Sequence, residues 1–204
     1  SGLFKISKKG NVYDLFRNRV MFPIMDENGD VIAFGGRVMD DAKPKYINSP
    51  DSQLFSKRTR LYGYPYKAKR RSEAIIICEG YMDYIALHSA GYQDCAAVLG
   101  TALTEEHVRL IASHYKKVYL SMDSDGAGIN AAKKSIGLLK AAGLPVRVLD
   151  FRPYKDPDEF LRSNPYGVDA FHKRVEQALP ECQFLARHAS DIGELAGILA
   201  RQVP

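Results

Sequence analysis

The apolar residues of this chain follow two different patterns, and the change falls near residue 73. From Glu73 onward, four short apolar runs, AIIIC, CAAVLG, KVYLSMD and VRVLDF, alternate with helical stretches such as TEEHVRLIASHY and AGINAAKKSIGLLKAAG. Apolar strands that alternate with helices are typical of βαβ units. The pattern therefore predicts an α/β fold in which a largely parallel sheet is flanked by helices.

Signals at the helix ends support this prediction. Thr104 is a good N-cap with two glutamates in the following turn, and Gly143 suits the residue after a helix C-terminus. The longest predicted helix has one apolar face, formed by Ile129, Ala132, Ile136 and Leu139. After KDPDEF the sequence predicts two or three short helices.

The N-terminal part of the chain has strand patterns instead. RVMFPIMD and VIAFGGRVM flank ENGD, whose Asn28-Gly29 pair is a strong hairpin signal. PKYINSP and TRLYGYPY favour short strands and ordered loops, and KAKRR (67–71) is predicted to be a solvated hinge. We therefore predict a small, mixed or antiparallel, basic β-rich subdomain over residues 1–72, an α/β domain over residues 73–165 and the start of a helical subdomain over residues 166–204.

The net charge of +5 over 204 residues is unevenly distributed. Residues 1–73 contain 15 Lys and Arg against 8 Asp and Glu, whereas residues 74–204 contain 14 against 16. Such a basic segment is typical of a surface that binds a polyanion, although a solvated face explains the charge equally well. No apolar run approaches the roughly 20 residues of a membrane span and no secretory signal opens the chain, so we expect a cytoplasmic protein without a membrane partner.

Acidic residues follow three of the predicted strands. Glu79 comes directly after AIIIC, Asp123 and Asp125 follow KVYLSM, and Asp156 and Asp158 follow VRVLDFRPY. In an open parallel sheet, ligands bind outside the carboxyl ends of the strands. Converging carboxylates repel one another unless cations offset their charge, and oxygen ligands without His or Cys fit Mg²⁺ or Mn²⁺. The sequence therefore predicts a divalent-metal site for phosphoryl-transfer chemistry.

Each of these residues also has a structural alternative. Asp125 and Asp156 are suitable helix N-caps, and Asp123 could be a polar strand end. Glu79 is harder to explain structurally, because a strand-to-helix turn normally uses Ser, Thr, Asn or Asp. Asp83, one turn into the helix after Glu79, could simply cap or brace that turn.

Motifs for several other chemistries are absent from the sequence, namely GxxxxGK[ST], GxGxxG, HExxH and GxSxG. The scattered histidines are predicted to be partly exposed surface residues rather than ligands: His88, His107, His114, His172 and His188. Cys78, Cys95 and Cys182 form no CxxC pair, so we predict reduced, mostly buried thiols and no zinc site.

Basic and aromatic residues are interleaved in the N-terminal segment. The cations are Arg17, Arg19, Arg37, Lys43, Lys45, Lys57, Arg58 and Arg60, and the rings are Tyr46, Phe55, Tyr62, Tyr64 and Tyr66. Cations can follow phosphates and rings can stack on bases, which suits a single strand or a nucleotide. The alternative is that the tyrosines pack a small β core and the cations merely solvate it. It holds less well for Arg37, since Gly35-Gly36 would permit close backbone approach to a ligand.

Several of these motifs together resemble a known family. EGYMDYIAL, LGTALTEEH, MDSDGAGINAA and KDPDEFL resemble, in order and spacing, the Toprim domain of DnaG-type bacterial primases. LFRNRVMFPI, VIAFGGRVM, PKYINSP and LYG resemble the segment that precedes it in those enzymes. The resemblance implies the DNA-dependent RNA polymerase core of a replicative primase, which makes short RNA primers on single-stranded DNA by metal-dependent nucleotidyl transfer.

The resemblance also implies roles for individual residues. Glu79, Asp123 and Asp125 would be catalytic and would bind Mg²⁺ or Mn²⁺ together with Asp156, with Asp158 as a further candidate. Whether Glu79 is a ligand or a proton acceptor stays open, as does the number of ions. A set that binds nucleotide and nucleic acid follows from the same motifs: Arg17, Arg19, Arg37, Lys45, Asn48 and Lys57.

The implied partners are a single-stranded DNA template, NTPs, the nascent RNA primer and a replicative helicase, which would bind a domain absent from this chain. We expect a monomer. The zinc-binding module and the first part of the polymerase domain are also absent, so no zinc is expected here and this part alone is expected to be weakly active or inactive. Two alternatives stay open: a Toprim metal-dependent nuclease, and a nucleic-acid-binding fragment without catalysis.

Overall fold

The structure is a computed structural model that describes residues 2–64 and 73–200. Its strands are β1 (Phe4–Ile6), β2 (Val12–Asp14), β3 (Arg19–Met25), β4 (Val31–Val38), β5 (Tyr46–Asn48), β6 (Ala74–Cys78), β7 (Cys95–Ala97), β8 (Lys117–Ser121), β9 (Val146–Val148) and β10 (Leu179–Pro180). Its helices are α1 (Tyr81–Ser89), α2 (Glu105–Ala112), α3 (Gly126–Ala141), α4 (Pro157–Ser163), α5 (Gly167–Glu176), α6 (Glu181–Arg187) and α7 (Ile192–Ala200). Within these ranges no helix is both long enough and apolar enough to cross a bilayer.

The central sheet has five strands in the order β10-β9-β8-β6-β7. The β6/β7, β6/β8 and β8/β9 pairs are parallel, and only β10 is added in the antiparallel direction. Along β6, Ile75 and Ile77 pack into one core with α2 and α3, whereas Ile76 and Cys78 pack into another with α1, α4 and α5. The prediction of a largely parallel sheet flanked by helices is confirmed. The apolar run of β6 is continuous because a strand buried on both faces needs apolar residues at every position.

A second sheet is formed by β3, β4 and β5, all antiparallel. The β3/β4 hairpin turns at the predicted Asn28-Gly29 pair, where Gly29 has φ +88° and the Asp26 carboxylate accepts hydrogen bonds from the amides of Asn28 and Asp30. TRLYGYPY contributes only an isolated bridge between Tyr62 and Ala97. The end of that stretch and the predicted hinge KAKRR lie outside the described residues.

The two sheets share a hydrophobic core. Phe22 of β3 stacks on the ring of Tyr81 at the start of α1, with 4.6 Å between ring centroids. Phe55 and Leu99 are buried in the same cluster. The β-rich unit therefore packs directly against the α/β unit. The division of the chain at residues 72 and 73 stays a prediction, since residues 65–72 are not among those described.

The helix signals are confirmed, and one prediction about histidines is wrong. Thr104 caps α2 by accepting a hydrogen bond from the amide of His107, and Gly143 after α3 has φ +74°. The three cysteines are free thiols, and Cys78 and Cys95 are buried. His107, predicted to be partly exposed, has 0% exposure. As the third residue of α2 it faces back over the helix N-terminus, where both ring nitrogens find hydrogen-bond partners.

Candidate active site

The carboxyl ends of β6 and β8 bring Glu79 and Asp123 together. The two strands pair with Cys78 opposite Ser121, so the chain leaves both at the same edge of the sheet. The backbone amide of Asp123 donates a hydrogen bond to Oε1 of Glu79 at 3.0 Å. Burial raises the pKa of Glu79, this hydrogen bond opposes the rise, and the charges of Asp123 and Asp125 add to it. Glu79 is therefore a half-buried carboxylate among other negative charges.

The next two carboxylates stand at helix N-termini. Oδ1 of Asp125 accepts a hydrogen bond from the amide of Gly128 at 2.9 Å, which caps α3. Oδ1 of Asp156 accepts one from the amide of Glu159 at 2.8 Å, which caps α4. Both residues thus have the helix-capping role that the sequence offered as their structural alternative. A cap uses one carboxylate oxygen, however, so the same side chain can still present its other oxygen to a cation.

Of the two glycines beside the aspartates, only Gly128 lies where there is no room for a side chain. A Cβ at Gly128 would overlap the backbone carbonyl of Asp123, whereas a Cβ at Gly126 would have no neighbour within 4 Å. The start of α3 therefore packs directly against the backbone that carries Asp123.

This contact gives a matched pair of variants. Gly128→Ala is expected to lower the free energy of unfolding by about 1–3 kcal/mol and to shift Asp123, because backbone atoms cannot move aside as a flexible side chain can. Gly126→Ala should leave stability within about 0.5 kcal/mol of wild type. Urea unfolding followed by circular dichroism checks both, and equal stabilities of the two variants would contradict the close approach.

Asp83, which the sequence left as a bracing residue, lies within the carboxylate group. It is only 7% exposed, and its Oδ2 accepts a hydrogen bond from the amide of Gly80 at 3.0 Å. Burial raises the pKa of Asp83 to about 7, and the negative charges of Asp156, Asp123 and Asp158 contribute to the rise while the bond from Gly80 opposes it. The signal available in the sequence was its position in the first turn of the helix that starts where β6 ends.

Lys155 was also missed by the sequence reasoning. Its Nζ lies 2.6 Å from Oδ2 of Asp123 and 3.9 Å from Oδ2 of Asp156. The hydrogen bond to Asp123 raises the pKa of Lys155, against the effect of burial. The ammonium group of Lys155 thus lies among the carboxylates and partly neutralises their negative charge.

The donors at this edge fit a hydrated Mg²⁺ or Mn²⁺. Over residues 2–64 and 73–200, no group of three or more His, Cys, Asp or Glu is arranged to enclose a metal ion. Mg²⁺ usually takes only one or two protein carboxylates and completes its shell with waters and phosphate oxygens. Asp158 is the weakest candidate ligand, because both of its oxygens are held by the guanidinium of Arg162.

Two of the predicted nucleic-acid-binding cations lie over the same tyrosine ring. The guanidinium of Arg37 and the ammonium of Lys45 each lie over the ring of Tyr46, 5.9 Å from its centroid. Tyr46 is 36% exposed. Burial raises the pKa of its hydroxyl, Arg37 opposes the rise, and the charges of Asp83, Asp158 and Asp156 add to it. Tyr46 is therefore within electrostatic reach of both the cations and the carboxylates.

The other predicted binding residues are held by the protein itself to different degrees. Arg19 donates to the carbonyls of Gly36, Pro44 and Lys45, so its guanidinium braces the loop before β5. Arg17 lies over the ring of Tyr13, 5.1 Å from its centroid.

Asn48 joins the two sheets. Its Oδ1 accepts a hydrogen bond from the Tyr81 hydroxyl at 2.6 Å, and its Nδ2 donates to the carbonyl of Leu99 at 3.0 Å. Tyr81 also explains Gly35, since a Cβ there would overlap the tyrosine hydroxyl. The glycine pair before Arg37 thus gives room to side chains of the protein, whereas the sequence had indicated room for a ligand. Lys57 lies in the loop between Phe55 and Leu61 and is half-buried.

The chain is similar to known proteins over both of its parts. The family described as DNA primase catalytic core, N-terminal domain, matches residues 1–68, and the Toprim-like family matches residues 76–161. A DNA primase of Clostridium acetobutylicum is 46% identical over 175 residues, which are 85% of this chain and 29% of that protein. A DNA primase of Pseudomonas aeruginosa is 42% identical over 188 residues, which are 89% of this chain and 28% of that protein.

Solved structures match over nearly the whole chain. A DNA primase domain from Pseudomonas aeruginosa superposes with a TM-score of 0.83 at 38% identity, covering 97% of this chain and 65% of that one. A DnaG primase catalytic domain bound to single-stranded DNA gives a TM-score of 0.83 at 34% identity, covering 100% and 68%. The chain spans less than a third of the two primase sequences and about two thirds of these catalytic cores. The chain belongs to the DnaG-type bacterial primases and corresponds to part of their catalytic core.

Proposed function

We propose that this chain is the metal-dependent nucleotidyl-transfer centre of a DNA primase, which makes short RNA primers on a single-stranded DNA template. The observation that carries the proposal is the position of Tyr46. Arg37 and Lys45 lie over its ring, and the charges of Asp83, Asp156 and Asp158 act on its hydroxyl. A nucleoside triphosphate needs both kinds of neighbour, since cations neutralise its phosphates while carboxylates hold the metal that its phosphates share.

In the proposed reaction the 3′-hydroxyl of the primer attacks the α-phosphorus of an NTP, a new P–O bond forms and pyrophosphate leaves. Mg²⁺ or Mn²⁺ would supply activation of the hydroxyl and neutralisation of charge on the leaving group. Glu79, Asp123 and Asp125 would hold the ion, with Asp156 and, less directly, Asp158. Glu79 is suited to accept the hydroxyl proton as well, because burial raises its pKa above that of an ordinary glutamate.

The basic residues divide into two roles in this proposal. Arg37, Lys45 and Lys57 would contact phosphates of the nucleotide or template, and the partly exposed ring of Tyr46 would stack on a base. Arg17 would extend this surface. Arg19 and Asn48 would act indirectly, because their polar groups are already bonded to the carbonyls of the loop before β5 and to Tyr81 and Leu99.

The wider assignments follow from the same proposal. We propose a basic β-rich subdomain over residues 1–72, the metal-binding domain over residues 73–165 and a helical subdomain that begins at residue 166. The partners would be the template, NTPs and nascent RNA, with the replicative helicase contacting a domain outside this chain. A cytoplasmic monomer is the corresponding expectation.

A single assay tests the proposal against its alternatives. The chain, both alone and within a primase that contains it, is incubated with single-stranded DNA, labelled NTP and Mg²⁺ or Mn²⁺, and the products are resolved on a denaturing gel. Short labelled RNA that forms only with metal and template supports primase chemistry. Metal-dependent loss of the DNA without NTP incorporation would indicate a nuclease instead, and DNA binding with neither product would indicate a non-catalytic fragment.

A further inference from the structure

The turn formed by residues 56–60, called here the basic loop, carries Lys57, Arg58 and Arg60 and lies on the N-terminus of α2. The hydroxyl of Thr104 donates a hydrogen bond to the carbonyl of Arg58 at 2.7 Å. Nε2 of His107 lies 3.1 Å from the carbonyl of Arg60. Two side chains of one helix terminus thus hold two backbone carbonyls of a loop about 45 residues earlier in the chain.

The hydrogen bonds determine which nitrogen of His107 carries the proton. Nδ1 accepts a hydrogen bond from the backbone amide of Thr104 at 3.3 Å, so Nε2 is the protonated nitrogen and donates to the carbonyl of Arg60. The ring is fully buried. A Glu or Gln at this third helical position would close an ordinary capping box, but the second nitrogen of a histidine reaches beyond the helix. Through that nitrogen the cap extends to the basic loop.

The loop is anchored on its other side as well. Phe55 is buried at 1% exposure, and Asp51 accepts hydrogen bonds from the Ser56 hydroxyl at 3.0 Å and from the amide of Lys57 at 3.4 Å. The side chain of Arg58 is exposed while its carbonyl is held. The backbone of the loop is therefore fixed at several points. Arg58 projects from it, Lys57 is half-buried, and the guanidinium of Arg60 is paired with the Glu27 carboxylate.

We propose that Thr104 and His107 are positioning residues, which hold the basic loop in the shape that binds the phosphates of single-stranded nucleic acid. The inference rests on the proposed function, because it assigns the cations of this loop to nucleic-acid binding. Fixing the loop before binding reduces the conformational entropy lost when its cations meet phosphates. Neither residue contacts the substrate, and their effect passes through Arg58 and Lys57.

The experiment uses the complete 204-residue chain and a labelled single-stranded DNA oligonucleotide. Thr104→Val keeps the shape of the side chain but removes the hydroxyl, and Thr104→Ser restores the hydroxyl. Ile111→Val, a buried position of the same helix, is the control for a general loss of stability. Trypsin cleavage after Lys57 and Arg58, identified by peptide mass, reports directly on the order of the loop. Oligonucleotide affinity is measured over a range of salt concentrations.

The expected result is that Thr104→Val raises cleavage after Arg58 at least about fivefold and weakens oligonucleotide binding about threefold to tenfold. Thr104→Ser should behave as wild type. Ile111→Val should change neither the cleavage after Arg58 nor the affinity for the oligonucleotide. Wild-type cleavage and affinity in Thr104→Val would overturn the inference, as would an equal effect of Ile111→Val.

Arg58→Ala separates this inference from the proposed function. It is expected to weaken binding and to reduce the slope of log affinity against log salt by about 1. If Arg58→Ala weakens binding and Thr104→Val does not, only the positioning role is overturned. If neither variant changes binding, the role of the basic loop in the proposed function fails together with the inference.

Discussion

Glu79→Gln is expected to reduce primer synthesis at least about 100-fold in a primase that contains this catalytic core, without unfolding it. The amide keeps the shape and can still accept the hydrogen bond from Asp123, but it removes the negative charge that a metal ion and an attacking hydroxyl require. The measurement is labelled NTP incorporation on a single-stranded template, with circular dichroism to confirm the fold.

The same strand offers the control for this variant. Glu73 precedes β6 just as Glu79 follows it, and Glu73 is exposed and paired with Lys116 at the opposite end of the sheet. Glu73→Gln makes an identical chemical change away from the candidate site and should keep wild-type activity, since exposed ion pairs contribute little. Comparable activity in the two variants would refute the assignment of Glu79.

Asp83→Asn is expected to stabilise the metal-free protein at pH 8 by about 2 kcal/mol and to have little effect at pH 4. The pKa of Asp83 rises from 3.8 to about 7 on folding. Once the group is ionised in both the folded and the unfolded state, this shift corresponds to a loss of about 4 kcal/mol in the free energy of unfolding. Because the folded pKa is the higher one, the contribution to stability is fully present below pH 3.8 and is lost as the pH rises to about 7. Asp83→Asn is expected to recover only part of this lost stability, because an amide oxygen accepts a weaker hydrogen bond from Gly80 than a carboxylate does.

Urea unfolding at several pH values tests this prediction. Asp41→Asn, an identical change in an exposed loop, is the control and should not alter the pH dependence. Adding Mg²⁺ should narrow the difference between Asp83→Asn and wild type, because a bound cation offsets the charge on Asp83. A variant that is less stable than wild type at pH 8 would show that Asp83 is ionised and stabilising instead.

The parts of the fold that the sequence predicted correctly depend on local patterns. The apolar run AIIIC predicted a strand covered on both faces, and β6 is that strand, paired on both sides within the sheet. Asn28-Gly29 specified the β3/β4 hairpin, since few other residue pairs adopt that turn without strain. Thr104 and Gly143 marked helix ends because backbone groups there need particular partners or a left-handed residue.

The contacts that the sequence did not reveal join distant parts of the chain. Asn48 and Arg19 were predicted to bind nucleic acid, and the structure shows their polar groups bonded to the protein itself. Lys155 and His107 gave no signal, because each acts on a residue more than 30 positions away. Neither a charge pattern nor a helical period contains that information.

The sequence by itself determined the α/β class, the hairpin, and the placement of Glu79, Asp123 and Asp156 at strand and helix ends, because these follow from short-range periodicity and capping. Only the tertiary structure decided that Asp83 joins them, that Lys155 lies among them and that Arg37 and Lys45 lie over the ring of Tyr46. The physical reason is that burial and electrostatic coupling depend on distances in space, which strand order and the packing of two sheets set.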